Sequence, residues 1–312
     1  MISTLSINNS VNAVNSKKLS FLEYLFVFVI VIYAGRGNIY FASLSIIKYP
    51  FWISIPIILS GIMALKWRLE FTANFYLLIL LFFTYFIGIT VKYNEIRPTF
   101  FLNYALLFFI AYVAVRVLHV NLFRIFELII FYLAIVGLIF FVIQIILRGD
   151  NFFNLINKIP GISQISNVTG NGLNAIIYSI QPANASIQYN SIIPRNCGFA
   201  WEPGGFAVFL SLAIYTNLFI NTSDKNSRKR FWWLLIALLS TQSTTGYLIF
   251  VIIIIFYYLN KKIDVILLLL PLLIVALFLL FTLPFMSNKI ISYVNEAKEV
   301  DIIVERTIGG ES

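Results

Sequence analysis

The residues best equipped for chemistry lie in one stretch, Arg195–Phe209, RNCGFAWEPGGFAVF, where a long polar segment gives way to an apolar one. It gathers Arg195, Glu202 and the glycines Gly198, Gly204 and Gly205 around Pro203. Proline fits the first turn of a helix, where its missing N–H is not needed. Such a helix start presents free N–H groups and a partial positive charge. An arginine beside that end suits a phosphate or diphosphate, and Gly204 and Gly205 let a backbone or bulky ligand approach closely. The same residues also suit a plainer role, an interfacial arginine next to a Pro-Gly helix start. Glu202, the one carboxylate here, fits two roles. A general base would need desolvation to raise its pKa, whereas pairing with Arg195 would lower it and hold the arginine in place.

A second polar group, Ser240-Thr241-Gln242-Ser243-Thr244-Thr245-Gly246, interrupts apolar sequence with hydroxyls, one amide and a glycine. Ser243, Thr244 and Thr245 suit sugar hydroxyls, or equally each other at a helix break. The segment 148–196 carries Arg148, Lys158 and many Asn and Gln side chains; polar loops of this length are commonly functional or disordered. The lone histidine, His119, reads as an ordinary interfacial residue. The lone cysteine, Cys197, excludes an intrachain disulfide and a multi-cysteine metal site. With one histidine, a His-rich metal site is excluded as well.

These residues must be positioned by membrane helices. Of 312 residues, 60% are hydrophobic and 11% charged, against about 25% charged in soluble domains. The apolar runs are continuous, as in VILLLLPLLIVALFLLF at 265–281, which fits helices rather than the alternation of a β-barrel. The expected fold class is all-α, a polytopic transmembrane helical bundle forming a single integral membrane domain over 1–312. About nine spans are expected, near 20–35, 50–65, 71–91, 99–118, 125–147, 203–220, 231–241, 246–259 and 263–285. The charge of +9 reads as topology, not as nucleic-acid binding. Lys17-Lys18 and the Lys225–Arg230 cluster would both be cytoplasmic. That makes 1–18 a cytoplasmic tail with no cleaved signal, since Ile32 fits a cleavage site poorly, and puts 148–196 outside. Read as one helix, 231–259 would violate the charge rule and bury the polar group, so two short helices meeting at an outer turn are expected. Charges are missing from the middle of every span, which argues against a proton-driven pump.

With Arg195, Gly198, Trp201, Glu202, Pro203 and Gly204 so spaced, the sequence resembles the polysaccharide polymerase branch of the O-antigen ligase/polymerase superfamily. LLSTQSTTGYLIF at 238–250 is similar to that family's Thr-x-Ser-Thr-Thr-Gly turn. The resemblance covers about 148–260 and implies a metal-independent membrane glycosyltransferase in a bacterial cytoplasmic membrane. Its substrate would be a polyprenyl-diphosphate-linked oligosaccharide, polymerised at the outer face into O-antigen, capsule or exopolysaccharide. A flippase and a chain-length regulator are the implied partners, beside the bilayer itself. Arg195 would neutralise the leaving diphosphate, and Gly198, Trp201, Gly204, Gly205, Ser243, Thr244, Thr245, Arg148, Lys158 and Arg306 would bind substrate. The family carries a second large outer loop followed by further spans; 286–312 resembles the start of that loop, so the chain reads as C-terminally truncated. Ligases of the superfamily often use an outer-loop histidine, which is missing here, so polymerase is favoured over ligase. A flippase or transporter for lipid-linked oligosaccharide is the alternative from another class.

Overall fold

The computed structural model describes residues 19–35, 50–93, 98–147, 151, 158, 173–175, 177–180, 194–222 and 224–259. The 1–18 tail, Arg148, most of the 148–196 loop, the span 263–285 and the 286–312 segment with Arg306 lie outside the described residues. Among the described residues there are eight helices: α1 (Phe21–Gly35), α2 (Pro50–Lys66), α3 (Ala73–Tyr93), α4 (Pro98–Leu118), α5 (Val120–Ile146), α6 (Pro203–Phe219), α7 (Ser227–Ser240) and α8 (Thr244–Leu259). Proline opens α2, α4 and α6, each at a position where the ring fits the fixed φ and the missing donor is not needed.

The molecule is mostly helical, and two finer expectations are met only in part. It is not purely α: strands β1 (Leu173–Ala175) and β2 (Tyr178–Ile180) pair antiparallel inside the polar loop, with Asn174 opposite Ser179. The count of about nine spans is not reproduced either. Among the described residues two helices, over Ala73–Lys92 and Val120–Ile146, are long and apolar enough to cross a membrane. Helices α6 and α8 have 17 and 16 residues and rise about 25 and 24 Å, less than a ~30 Å hydrocarbon core. The break in 231–259 does occur. Helix α7 stops at Ser240, Gln242 adopts a left-handed φ of 48°, and α8 starts at Thr244.

Helix α6 is the hub, packed against α5, α7 and α8, while α1 joins α5 to α2, and α2 packs on α4. Phe206, Leu210, Ala213 and Ile214 of α6 are fully buried with Ile130 and Ala134 of α5 and Leu234, Ala237 and Leu238 of α7. Small residues let the axes approach. A Cβ on Gly246 would sit 2.5 Å from the Ala207 Cβ, so the start of α8 lies directly on α6. The outward faces are as apolar as the core: Leu77, Leu81 and Ile87 of α3, Tyr132, Ile139 and Val142 of α5 and Val208 and Leu212 of α6 are exposed.

Candidate functional site

The segment 194–200 runs across the α7–α8 turn and is fixed to it by three polar links. Arg195 donates from Nε to the Thr241 carbonyl at 3.3 Å. The Asn196 backbone N–H donates to the Ser240 carbonyl at 3.1 Å, and its Nδ2 donates to Ser240 Oγ at 2.8 Å. Asn196 Oδ1 accepts the Gly198 N–H at 2.9 Å, closing a side-chain-to-backbone turn of the kind asparagine favours. Asn196 and Thr241 are fully buried. The two stretches singled out from sequence, separated by some forty residues, are therefore one unit.

Gly198 explains the shape of this unit. Its φ is +51°, and a Cβ there would lie 2.5 Å from the Phe206 ring. On the other side, a Cβ on Gly137 of α5 would lie 3.4 Å from the Gly198 Cα. The Gly198 carbonyl accepts the Ser179 N–H at 2.7 Å, tying β2 to the unit, and the Trp201 N–H donates to the Gly35 carbonyl at 3.1 Å, tying in the end of α1. The hairpin is held in turn by Tyr178, whose hydroxyl donates to Gln144 Oε1 at 2.6 Å and whose ring stacks on Phe140. Burial pushes the Tyr178 phenol up from its ordinary value, so the hydroxyl remains a donor well into alkaline conditions.

Glu202 is the N-cap of α6, with extended backbone and no side-chain cap bond, and it is exposed. Of its two expected roles, the pairing with Arg195 is not formed: among the described residues no ion pair joins them. The carboxylate instead lies over Gly204. A Cβ there would sit 3.7 Å from Glu202 Oε1 and 3.9 Å from Ser243 Oγ, so Gly204 is the gap between these two groups. Ser243 is buried and accepts the Gly246 N–H on Oγ at 3.3 Å, capping α8. A Cβ on Gly205 would sit 3.7 Å from both Glu202 Cγ and Ala200 Cβ. Trp201 is exposed beside the helix start, as is Thr245, while Thr244 is half-buried. Lys158 is exposed, with no position relative to this group to describe. Among the described residues no group of His, Cys, Asp or Glu is arranged to hold a metal ion.

Asn196 and Ser240, which hold the unit together, lie inside the two stretches singled out from sequence but carry no individual role there; the signal for them is that each can both donate and accept. Asn196→Ala strands the buried Gly198 N–H and removes the donor to Ser240 Oγ, while the backbone bond to the Ser240 carbonyl remains. It is expected to destabilise the protein by about 1–3 kcal/mol, read as a lowered midpoint of thermal unfolding in detergent. Asn196→Asp, which retains the acceptor for Gly198, is expected to fall between.

A second polar cluster lies at the opposite end of α7. Glu127 is 0% and Arg230 6% exposed. Arg230 Nε donates to Glu127 Oε1 at 2.8 Å, and Asn217 in the last turn of α6 and Asn221 just beyond its C-cap donate from Nδ2 to Glu127 Oε1 and Oε2 at 2.9 and 3.0 Å. Arg230 Nη1 also donates to Asp224 Oδ2 at 3.0 Å. The Asn226 backbone N–H, and then the Arg230 guanidinium, hold the Asp224 carboxyl below its ordinary value. A depressed carboxylate contributes stability above its unfolded pKa and loses it as pH falls through the folded one, so this link persists into acid. Arg230, the last residue of the basic cluster expected on the cytoplasmic side, is thus a buried ion-pair partner. Comparison with known protein families, curated proteins and solved structures finds no match to this chain.

Proposed function

We propose that this chain is an integral membrane glycosyltransferase of the polysaccharide polymerase type, acting on polyprenyl-diphosphate-linked oligosaccharide at the outer face of a bacterial cytoplasmic membrane. The observation that carries the reading is the hydrogen-bonded union of Arg195–Asn196 with Ser240–Thr241. The two sequence features that bear the family resemblance meet in space, with a helix start and a carboxylate beside them. The apolar outward faces support a lipid surround.

In this reading the N-terminus of α6 and the Arg195 guanidinium face the diphosphate. An acceptor hydroxyl attacks the anomeric carbon. A new C–O bond forms as the C–O bond to the diphosphate breaks, the electron pair leaves with the diphosphate, and the acceptor proton passes to Glu202. Trp201 offers an apolar face to a sugar ring, and Ser243, Thr244 and Thr245 offer hydrogen bonds.

The test is deletion of the gene followed by analysis of surface glycan. Single repeat units support the polymerase reading. Unattached long chains would assign a ligase, and lipid-linked units retained inside would assign a flippase. Complementation with Arg195→Ala is expected to leave insertion intact and reduce polymer at least 100-fold, the scale of losing a charge-stabilising group. Arg195→Lys is expected to remain impaired, because an ammonium offers a point charge in place of a fork. Unchanged chain length in Arg195→Ala would remove Arg195 from the mechanism.

A further inference from the structure

Helix α7 divides cleanly by face. Arg230, Leu234, Ala237 and Leu238 are buried against α5 and α6. The opposite stripe is exposed and graded along the axis: Arg228 and Lys229 come first, then Trp232 and Trp233, then Ile236 and Leu239. Each cation lies one turn before a tryptophan, Arg228 before Trp232 and Lys229 before Trp233, the spacing at which helix side chains neighbour each other. From Lys229 to Leu239 the helix rises about 15 Å. That equals one leaflet's share of a hydrocarbon core of ~30 Å.

Charge accounting sharpens the point. The Lys225–Arg230 cluster has four cations, but Arg230 is neutralised by Glu127 and Asp224. Among the described residues no ion pair holds Lys225, Arg228 or Lys229, all exposed. The carboxylate nearest in sequence, Asp224, is already committed to Arg230. A surface with three unneutralised cations, an aromatic turn and an aliphatic turn matches an anionic phospholipid from headgroup to acyl chain. Tryptophan, with an apolar body and a polar N–H, belongs at the boundary between the two.

We infer that the outward stripe of α7 is a binding surface for one anionic phospholipid. Its phosphate lies on Arg228 and Lys229, with Lys225 adding long-range attraction, and its acyl chains run along Trp232, Ile236 and Leu239. The assignment rests on the membrane reading above but not on the transferase chemistry.

The full chain in phosphatidylcholine vesicles, with brominated phosphatidylglycerol or brominated phosphatidylcholine added, provides the test through tryptophan quenching. The brominated anionic lipid is expected to quench at least tenfold more effectively per mole than the zwitterionic one, with the excess lost in Trp232→Phe/Trp233→Phe. Arg228→Gln/Lys229→Gln is expected to lower the preference by about fivefold per charge removed. Arg228→Lys/Lys229→Arg, with both charges retained, is expected to keep it. Equal quenching by the two lipids, or an unchanged preference in the double Gln variant, overturns the assignment. Displacement of the lipid by millimolar inorganic phosphate would assign the cations to a soluble anion and overturn it too. Carbonate extraction separates the two levels: release of the chain from vesicles overturns the membrane reading, whereas retention without lipid preference overturns the lipid surface alone.

Discussion

Glu127→Ala is expected to destabilise the protein by ~3–5 kcal/mol, the effect of removing one partner from a buried ion pair. The variant leaves Arg230 buried with Asp224 as its remaining anion among the described residues and strands the amide donors of Asn217 and Asn221. Asn217 also accepts from Ser227 Oγ at 3.0 Å on Oδ1, so the loss spreads into the turn between α6 and α7. Glu127→Gln retains acceptor capacity without the charge and is expected to cost less. Glu127→Leu/Arg230→Met, which removes both charges and keeps apolar volume, is expected to recover most of the stability. The measurement is the unfolding midpoint of purified protein in detergent. A midpoint for Glu127→Ala within a degree of the parent would mean that the carboxylate contributes nothing to the fold.

Gly198→Ala is expected to be the most damaging single-methyl change near the candidate site. Two independent penalties add: a non-glycine residue at φ +51° costs about 1–2 kcal/mol, and the new Cβ, 2.5 Å from the Phe206 ring, adds ~1–3 kcal/mol of overpacking. Phe206 cannot retreat freely, because it is fully buried and packs edge-on against Phe199. The strain falls on the bonds from Asn196 to Gly198 and from Ser179 to Gly198, so Arg195 is expected to lose its place over Thr241. In the proposed transferase this predicts at least a 100-fold loss of polymer at normal membrane levels of the protein. Gly198→Ala combined with Phe206→Leu, which opens room for the methyl, is expected to recover part of the stability but not the left-handed backbone. Full-length polymer from Gly198→Ala alone would show that the site tolerates a displaced arginine.

Much of the helical framework was legible because each apolar run is bounded by charge, proline or polar clusters. The break at Ser240–Gly246 could be anticipated because a continuous helix would have buried six polar residues and defied the distribution of Lys and Arg. What sequence could not deliver was partnership. Periodicity places Glu127 in the first third of α5 and Arg230 in the first turn of α7, but nothing local says that the two chain-distant charges neutralise each other. Arg230 looked like its exposed neighbours Arg228 and Lys229 for that reason. The hairpin around Asn174 and Ser179 was hidden because three-residue strands carry too little alternation to stand out in an Asn- and Ser-rich loop. The union of Arg195 with the α7–α8 turn was legible only as a shared face; the asparagine that makes it firm required coordinates.

Helices α7 and α8, with 14 and 16 residues, rise about 21 and 24 Å, so neither is a self-sufficient unit for entry into lipid. In the proposed membrane protein the pair would enter as a bent hairpin docked on α6. The turn that meets Arg195 would then settle only after translation had passed Leu259, so the two halves of the candidate site would come together after α6 is already in place.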